Sequence, residues 1–365
     1  MDRTKKDMVL CVVFGLLFAG GFAACLFLPK PKYSESERRM LSPMPALTAQ
    51  SVASGRFMAD FEEYAADAFP LRDSFRRIKA WTAWKIFRRQ DNNGIYLADG
   101  FLSALEYPVN EASLERAAGR FRAVCEKYLT DENKVYFCVI PDKNCFLAKE
   151  SGRPAMDYDY FETRMAELAD FAEYIPISDL LEKEDYYRTD THWRQERIMD
   201  VADRLAAEMG TVLSRNYEIH TLEQGFYGVY YGQAALPLAP DSLQYVTGED
   251  IGLCQVYDWQ NNREMPVYDM EKAVGRDPYE MFLSGSLSLL TIKNPNAPAD
   301  KKLVMFRDSF GSGIAPLLIS GYSQITLADI RYIHPDLLGQ FVDFEGCDVL
   351  FLYSTLVLNN SDTIK

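Results

Sequence analysis

Apolar residues recur along this chain with two periods, and the changes of period mark its elements. Leu114, Ala117, Ala118, Phe121, Val124 and Cys125 share one face of a helix over 111–129. The wholly apolar run Val135-Tyr136-Phe137-Cys138-Val139-Ile140 then predicts a buried strand, stopped by Pro141-Asp142-Lys143. Helical spacing returns over 161–174, and again where Ile198, Val201, Ala202, Leu205 and Met209 line one face that Gly210 closes. The last stretch reads as strand 303–306, helix 312–320, strand 324–328, helix 335–343 and strand 348–353. Helices alternating with fully apolar strands predict an α/β fold around a parallel sheet.

Two stretches depart from this rhythm. Residues 211–300 are rich in Tyr, Gly and Pro with short alternating runs, and predict a β-rich insertion, a lid or a substrate wall. From Ser54-Gly55 to Gln90 the spacing is helical, with Phe57, Phe61, Tyr64 and Ala65 in one stripe and Leu71, Phe75, Ile78 and Trp81 in another. Phe69-Pro70 separates the two, and Asn92-Asn93-Gly94 turns the chain into Ile95-Tyr96-Leu97. The basic residues from Arg72 to Arg89 alternate with apolar ones, as on a solvated helix face.

The N-terminus changes the picture of compartment. Met8 to Leu28 is an uncharged run of 21 residues, enough to cross a bilayer as a helix. Ala23-Ala24-Cys25 lies inside the run rather than after it, which favours an uncleaved anchor over a cleaved signal peptide. Arg3, Lys5 and Lys6 on one side nearly balance Lys30, Lys32, Arg38 and Arg39 on the other, so charge alone leaves orientation open. Residues 33–50 form a polar, Pro-punctuated linker, and the expected organisation is 1–32 stub and anchor, 33–98 linker and helical region, 99–365 α/β domain.

The remaining composition mostly excludes. A net charge of −14 argues against nucleic acid as a partner. The seven cysteines contain no C-x-x-C, so buried free thiols are expected rather than a zinc knuckle or redox dithiol. No phosphate loop, no metal-ligand set and no cofactor motif appears.

Candidate chemistry lies in two segments. One of only three histidines stands in Tyr186-Tyr187-Arg188-Thr189-Asp190-Thr191-His192-Trp193, with an acid two residues before it at the start of a predicted helix. Strand 303–306 runs into Arg307-Asp308-Ser309-Phe310-Gly311, which puts Ser309 beyond a strand's carboxyl end, where open α/β sheets bind ligands. A serine needs a base within hydrogen-bond reach, and the base an orienting acid. Ser309, His192 and Asp190 supply the three roles, and backbone N–H groups from Ser309 onward can stabilise an oxyanion. Each residue also has a bland reading: Ser309 as a helix cap, Asp190 as a cap, and His192 as packing beside Trp193. His334 suits the start of a helix, and His220 lies in the β-rich section.

With these residues quoted, the chain resembles the DHHW family, whose motif stands here as Asp190-Thr191-His192-Trp193. That family is related to the SGNH-like alginate O-acetylation proteins, which carry the same Thr-Asp-Thr-His-Trp run. Further matches are Glu37-Arg38-Arg39-Met40-Leu41 with Pro45, Ser54-Gly55-Arg56-Phe57, Phe61-Glu62-Glu63-Tyr64 and Asp67-Ala68-Phe69-Pro70-Leu71-Arg72. Asn93-Gly94-Ile95-Tyr96-Leu97, Pro141-Asp142-Lys143 and Ile330-Arg331-Tyr332 match as well.

The resemblance implies an SGNH-hydrolase-like fold and an exported, membrane-tethered domain. It implies transfer of acetyl groups to polysaccharide hydroxyls through a Ser309 acyl-enzyme, with a multi-spanning membrane O-acyltransferase as donor. Tyr187, Gly285, Ser286 and Arg307 join Ser309 as candidate oxyanion or substrate-binding residues. Relatives often read Gly-Gly-Asn where this chain has Ser284-Gly285-Ser286, so Ser286 or the Gly285 N–H would replace an asparagine donor. Arg307 stands where glycine is usual and would narrow access to Ser309. The Tyr-rich stretches 226–232 and 243–268 offer rings for sugars or for a β core. Two other outcomes stay open: an acetylesterase using the same triad, and a non-catalytic glycan-binding assembly factor.

Overall fold

The computed structural model describes residues 3–34, 36–37, 39–298 and 301–365. Arg38 of the N-terminal motif and Asp2 before the apolar run lie outside the described residues. The chain divides into two compact units, Met1–Asn93 with Tyr231–Pro237, and Gly94–Tyr230 with Leu238–Lys365.

The second unit is built on an eight-stranded sheet. Its strands are β1 (Val135–Ile140), β2 (Glu173–Tyr174), β3 (Gln255–Asp258), β4 (Arg263–Met265), β5 (Leu289–Lys293), β6 (Lys302–Arg307), β7 (Gln324–Ala328) and β8 (Cys347–Ser354). Their spatial order is β4-β3-β5-β7-β6-β8-β1-β2. The five strands from β7 to β2 are parallel; β5 pairs antiparallel with β7, and β3 and β4 continue that edge.

The apolar strands are apolar because both of their faces are covered. In β6, Leu303 and Met305 enter one core while Val304 and Phe306 enter the other. Leu350 and Leu352 of β8 likewise alternate with Val349, Phe351 and Tyr353. Among the helices, α4 (Glu111–Tyr128) and α5 (Tyr158–Leu168) serve the second core, whereas α6 (Met199–Glu208) and α7 (Phe310–Leu318) serve the first.

The expected helix over 161–174 ends early: α5 stops at Leu168, and Glu173-Tyr174 becomes the edge strand β2. The expected helix 335–343 is a 3-10 turn, Pro335–Gln340. Within 211–300 one hairpin, Glu218–Phe226 with Asp241–Thr247, stands apart from the sheet, but β3, β4 and β5 extend the sheet itself.

In the first unit, α1 (Arg3–Phe27) is a single helix whose apolar span is nowhere buried in the protein. The short helix Ala49–Ala53 and two longer ones follow, α2 (Arg56–Asp67) and α3 (Arg72–Trp81). They are bound by ions more than by apolar packing. Asp67 takes Nη1 and Nη2 of Arg39 at 2.8 and 2.6 Å and the Ser42 N–H at 2.9 Å, and Glu37 pairs with Arg72 and Arg76. The Arg39 hydrogen bonds pull the Asp67 carboxyl down to about 2. The excursion Tyr231–Pro237 docks here, where the Gly232 and Ala234 carbonyls accept from Arg76 Nη2 at 2.7 Å and Asn92 Nδ2 at 2.9 Å. A Cβ at Gly232 would fall 1.5 Å from the Ser36 carbonyl oxygen, so only glycine fits that approach.

Candidate active site

Ser309 follows β6, the strand flanked by β7 and β8. The chain leaves β6 through α7 to reach β7 on one side, then returns to β8 on the other. Such a reversal opens a crevice at the strands' carboxyl ends. Ser309 precedes α7 but does not cap it with its side chain. Asp308 does that work: its Oδ1 accepts the Phe310 N–H at 3.0 Å. Its Oδ2 takes the N–H and hydroxyl of Ser354, at the end of β8, at 2.8 and 2.6 Å. The serine hydroxyl is thereby left for another partner.

That partner is His192, whose Nε2 lies 2.8 Å from Ser309 Oγ. The Asp190 Oδ1 lies 2.6 Å from His192 Nδ1. An ionised carboxylate only accepts, so Nδ1 carries the ring proton and Nε2 offers its lone pair to the serine hydroxyl. Asp190 is itself held: Oδ1 accepts the His192 N–H at 3.1 Å and Oδ2 the Val229 N–H at 2.8 Å. His192 does not sit at a helix start, as the sequence reading had it. It lies in a turn closed by a bridge between Tyr186 and Trp193, and α6 begins only at Met199.

The turn is tied to α7 and to the sheet. Trp193 Nε1 donates to the Phe310 carbonyl at 3.1 Å, and Gln195 Nε2 to that of Gly313 at 2.8 Å. From beneath, the buried Lys143 donates to the carbonyls of Asp190 and Tyr187 at 2.5 and 2.6 Å. Burial pulls the Lys143 pKa down to about 7, against the attraction of Asp190, Asp241 and Asp142. Asp142 takes the Thr355 hydroxyl at 2.8 Å, so Ser354 and Thr355 brace both motif loops. Asp241 accepts both the N–H and the hydroxyl of Thr189, at 2.8 and 2.5 Å. Gly228 passes so near that a Cβ there would lie 2.3 Å from the Asp190 Cα. Over the imidazole lies Tyr279, its ring 3.9 Å away by centroid and 9° from parallel.

The other candidates occupy different places. The Gly285 N–H, offered as an oxyanion donor, already donates to the Phe282 carbonyl at 3.1 Å. Leu283, Ser284 and Gly285 all have positive φ, at 52°, 53° and 81°. Ser286 is exposed beyond them. Arg307 is fully buried, and its Nη2 reaches the carbonyls of Gly285 and Leu287 at 3.5 and 3.4 Å, so it braces that loop. A Cβ at Gly311 would meet the Arg307 Cβ at 2.6 Å, which is why glycine follows it one turn later. Tyr187 is buried edge-on against Phe226, 5.0 Å between centroids. Of the tyrosines in the two Tyr-rich stretches, Tyr230 and Tyr268 are core, whereas Tyr227 is exposed. His220 pairs with Thr247 on the hairpin, and His334 caps the 335–340 turn. Among the described residues no acid, histidine and cysteine cluster suits a metal ion.

Sequence reasoning passed over Lys143 and Tyr279 as site residues. Lys143 had one signal, a lysine directly after a buried strand in a matching motif; Tyr279 had none.

No protein-family model and no curated protein matches the chain. Solved structures do. A DHHW family protein from Eubacterium siraeum aligns at 22% identity over 75% of this chain and 95% of its own, with a TM-score of 0.61. Bacillus cereus PatB1, solved with a sulfonyl adduct, aligns at 17% over 74% of this chain and 99% of its own, at 0.59. The O-acetyltransferase domain of Pseudomonas putida AlgJ aligns at 16% identity over 73% and 92%, at 0.44. The chain resembles the DHHW family in its Asp190-Thr191-His192-Trp193 run, and its α/β fold is that of the DHHW family structure and of PatB1.

Proposed function

We propose that this chain is a membrane-anchored O-acetyltransferase that acts outside the cytoplasm on hydroxyls of a cell-surface or secreted polysaccharide. The observation that carries the reading is one imidazole bridging Ser309 Oγ at 2.8 Å and the Asp190 carboxylate at 2.6 Å. Serine attacks the donor's acetyl carbonyl as His192 Nε2 takes the hydroxyl proton, and Asp190 stabilises the imidazolium. The imidazolium returns the proton to the departing group, leaving acetyl-Ser309. An acceptor hydroxyl then attacks the ester, its proton passing to Nε2 and on to the serine oxygen as the bond to Ser309 breaks.

The Ser309 N–H supplies an oxyanion donor in this reading, because the N–H groups of Phe310, Gly311 and Ser312 donate to Asp308 and the Ser309 carbonyl, and that of Gly285 to Phe282. The apolar α1 is the anchor, and a multi-spanning membrane O-acyltransferase the acetyl source. The test follows intact mass and acetyl release from p-nitrophenyl acetate, with and without oligosaccharide, for the full chain and Ser309→Ala. Acetyl on the sugar that depends on Ser309 is the expected result. Release to water alone would instead make the chain an esterase, and no acyl-enzyme at all would sink the enzyme reading.

A further inference from the structure

The second helical stripe of the first unit is uncovered. Leu71, Phe75, Ile78 and Trp81 stand 71, 53, 60 and 49% exposed, and Trp84, Ile86 and Phe87 beyond them are exposed too. Apolar helix faces in a folded protein normally lie against something.

Charge says what covers this one. Residues 74–90 hold six basic residues, Arg76, Arg77, Lys79, Lys85, Arg88 and Arg89, and no acidic one, in a chain of net charge −14. Of these only Arg76 is shielded, by its pairing with Glu37; the others face outward between the apolar residues. Lys85 Nζ sits 4.2 Å from the Trp84 ring centroid. Exposed Trp, Phe and Ile interleaved with Arg and Lys match the boundary between acyl chains and anionic headgroups.

Position agrees. A cleft of about 380 Å³ is lined at once by Ala24 and Leu28, at the end of α1, and by Phe69, Pro70 and Leu71, which lead into α3. Lys30, just past α1, lies over the Tyr64 ring of α2 at 4.8 Å. The uncovered face therefore starts beside the last turn of α1, at the depth where a bilayer-spanning α1 would leave the hydrocarbon.

We infer that residues 69–89 form a second membrane contact, lying in the interface of an anionic bilayer with Phe75, Ile78, Trp81 and Trp84 dipped among the headgroups. The inference rests on α1 being a membrane anchor. A cytosolic or fully solvated helix would have no use for this face, whereas one tethered at the interface lies on lipid at no further translational cost.

The test uses the full chain in nanodiscs of phosphatidylcholine, with or without phosphatidylglycerol, carrying lipids brominated near the headgroup. Tryptophan fluorescence is compared with that of the W81F/W84F variant, which leaves only Trp193 and Trp259 as background. The expected result is bromolipid quenching that W81F/W84F loses, that grows with phosphatidylglycerol, and that R77E/K79E/R88E loses mostly in the anionic discs. Equal quenching in wild type and W81F/W84F, with both rings open to aqueous acrylamide, overturns the inference. Rings closed to both quenchers would overturn it in favour of a protein partner on this face. Maleimide labelling separates the two claims: Cys11, within α1, stays protected if the anchor stands, whatever the tryptophans do. Labelled Cys11 would bring down the anchor itself.

Discussion

The Nζ of Lys143 sits 2.5 Å from the carbonyl oxygen of Asp190, the residue whose carboxylate orients His192. The lysine reaches there from the end of β1, fully enclosed, with the Tyr230 ring 5.1 Å from its nitrogen. It thus holds the backbone of the acid rather than its charge, and it fixes the turn on which both Asp190 and His192 ride.

Lys143→Met leaves those buried carbonyls short of a donor, a loss of about 1–3 kcal/mol in stability. With the turn released, acyl transfer should fall about 10²-fold, the scale of a 1 Å misplacement. The pH dependence has a definite sign. Burial holds the folded Lys143 pKa at about 7, against the ordinary value of 10.5 for a free lysine side chain. Between those values the unfolded chain binds the extra proton, so wild-type stability rises with pH relative to Lys143→Met. Below about 7 the gap is constant. Urea denaturation of both proteins from pH 6 to pH 9 checks this, and a flat gap would refute it.

Gly228→Ala tests the same acid from its other side. The added methyl would lie 2.3 Å from the Asp190 Cα and 2.4 Å from its backbone nitrogen, neither of which is a flexible side-chain end. Backbone must shift, at about 1–3 kcal/mol as for other overpacked sites. The Val229 N–H bond to Asp190 should be lost with it. Thermal unfolding and acetyl transfer should both fall, with transfer falling further.

How far the sequence reached follows from which interactions are local. The β6–Ser309–α7 junction was legible because an apolar run ending in a polar residue before a second apolar run is a local pattern. Buried strands β1, β6 and β8 were legible because cover on both faces leaves no alternation to misread. The 57–81 stripes gave helices, but periodicity says only that residues share a face, not what lies against it. The antiparallel strands β3 and β4 looked like an insertion, since short alternating runs do not reveal which sheet they join. Lys143, Tyr279 and the Ser354–Thr355 brace were out of reach. Each acts on a partner 44 to 213 residues away in the chain, such as Tyr187 for Lys143, Asp308 for Ser354 and Asp142 for Thr355. Only the folded sheet brings those pairs together.

Sulfonyl fluoride labelling provides a measure of Ser309 independent of any acetyl donor. A serine hydroxyl 2.8 Å from an imidazole Nε2 motivates the reagent. One equivalent should add to wild type and none to Ser309→Ala, read by intact mass. Asp190→Asn should keep the fold, since asparagine is nearly isosteric, yet favour the wrong imidazole tautomer. A loss of about 10⁴ in turnover is the scale for such a change in a serine triad. Labelling should slow in parallel, because both reactions draw on the same activated oxygen.

Tyr279 separates packing from polarity at the imidazole. Its ring stacks on His192 at 3.9 Å, but its hydroxyl is buried with no hydrogen-bond partner. Burial pushes that phenol well above its usual range, so it stays neutral. Tyr279→Phe therefore removes an unsatisfied polar atom and keeps the stack, and should leave turnover unchanged with stability equal or slightly higher. Tyr279→Leu keeps apolar bulk but removes the π face over the imidazolium, an interaction on the order of 0.5–2 kcal/mol for a cation on an aromatic ring. Turnover should then drop by roughly the matching factor of 2 to 30, with KM for the acyl donor little changed, because the imidazolium forms during the reaction and not on binding. The pair of variants is decisive in combination. If Phe cost as much as Leu, the hydroxyl would be serving the site through a contact absent here. If Leu cost nothing, the stack would be packing alone, and His192 would owe its orientation to Asp190 and the turn that Lys143 holds.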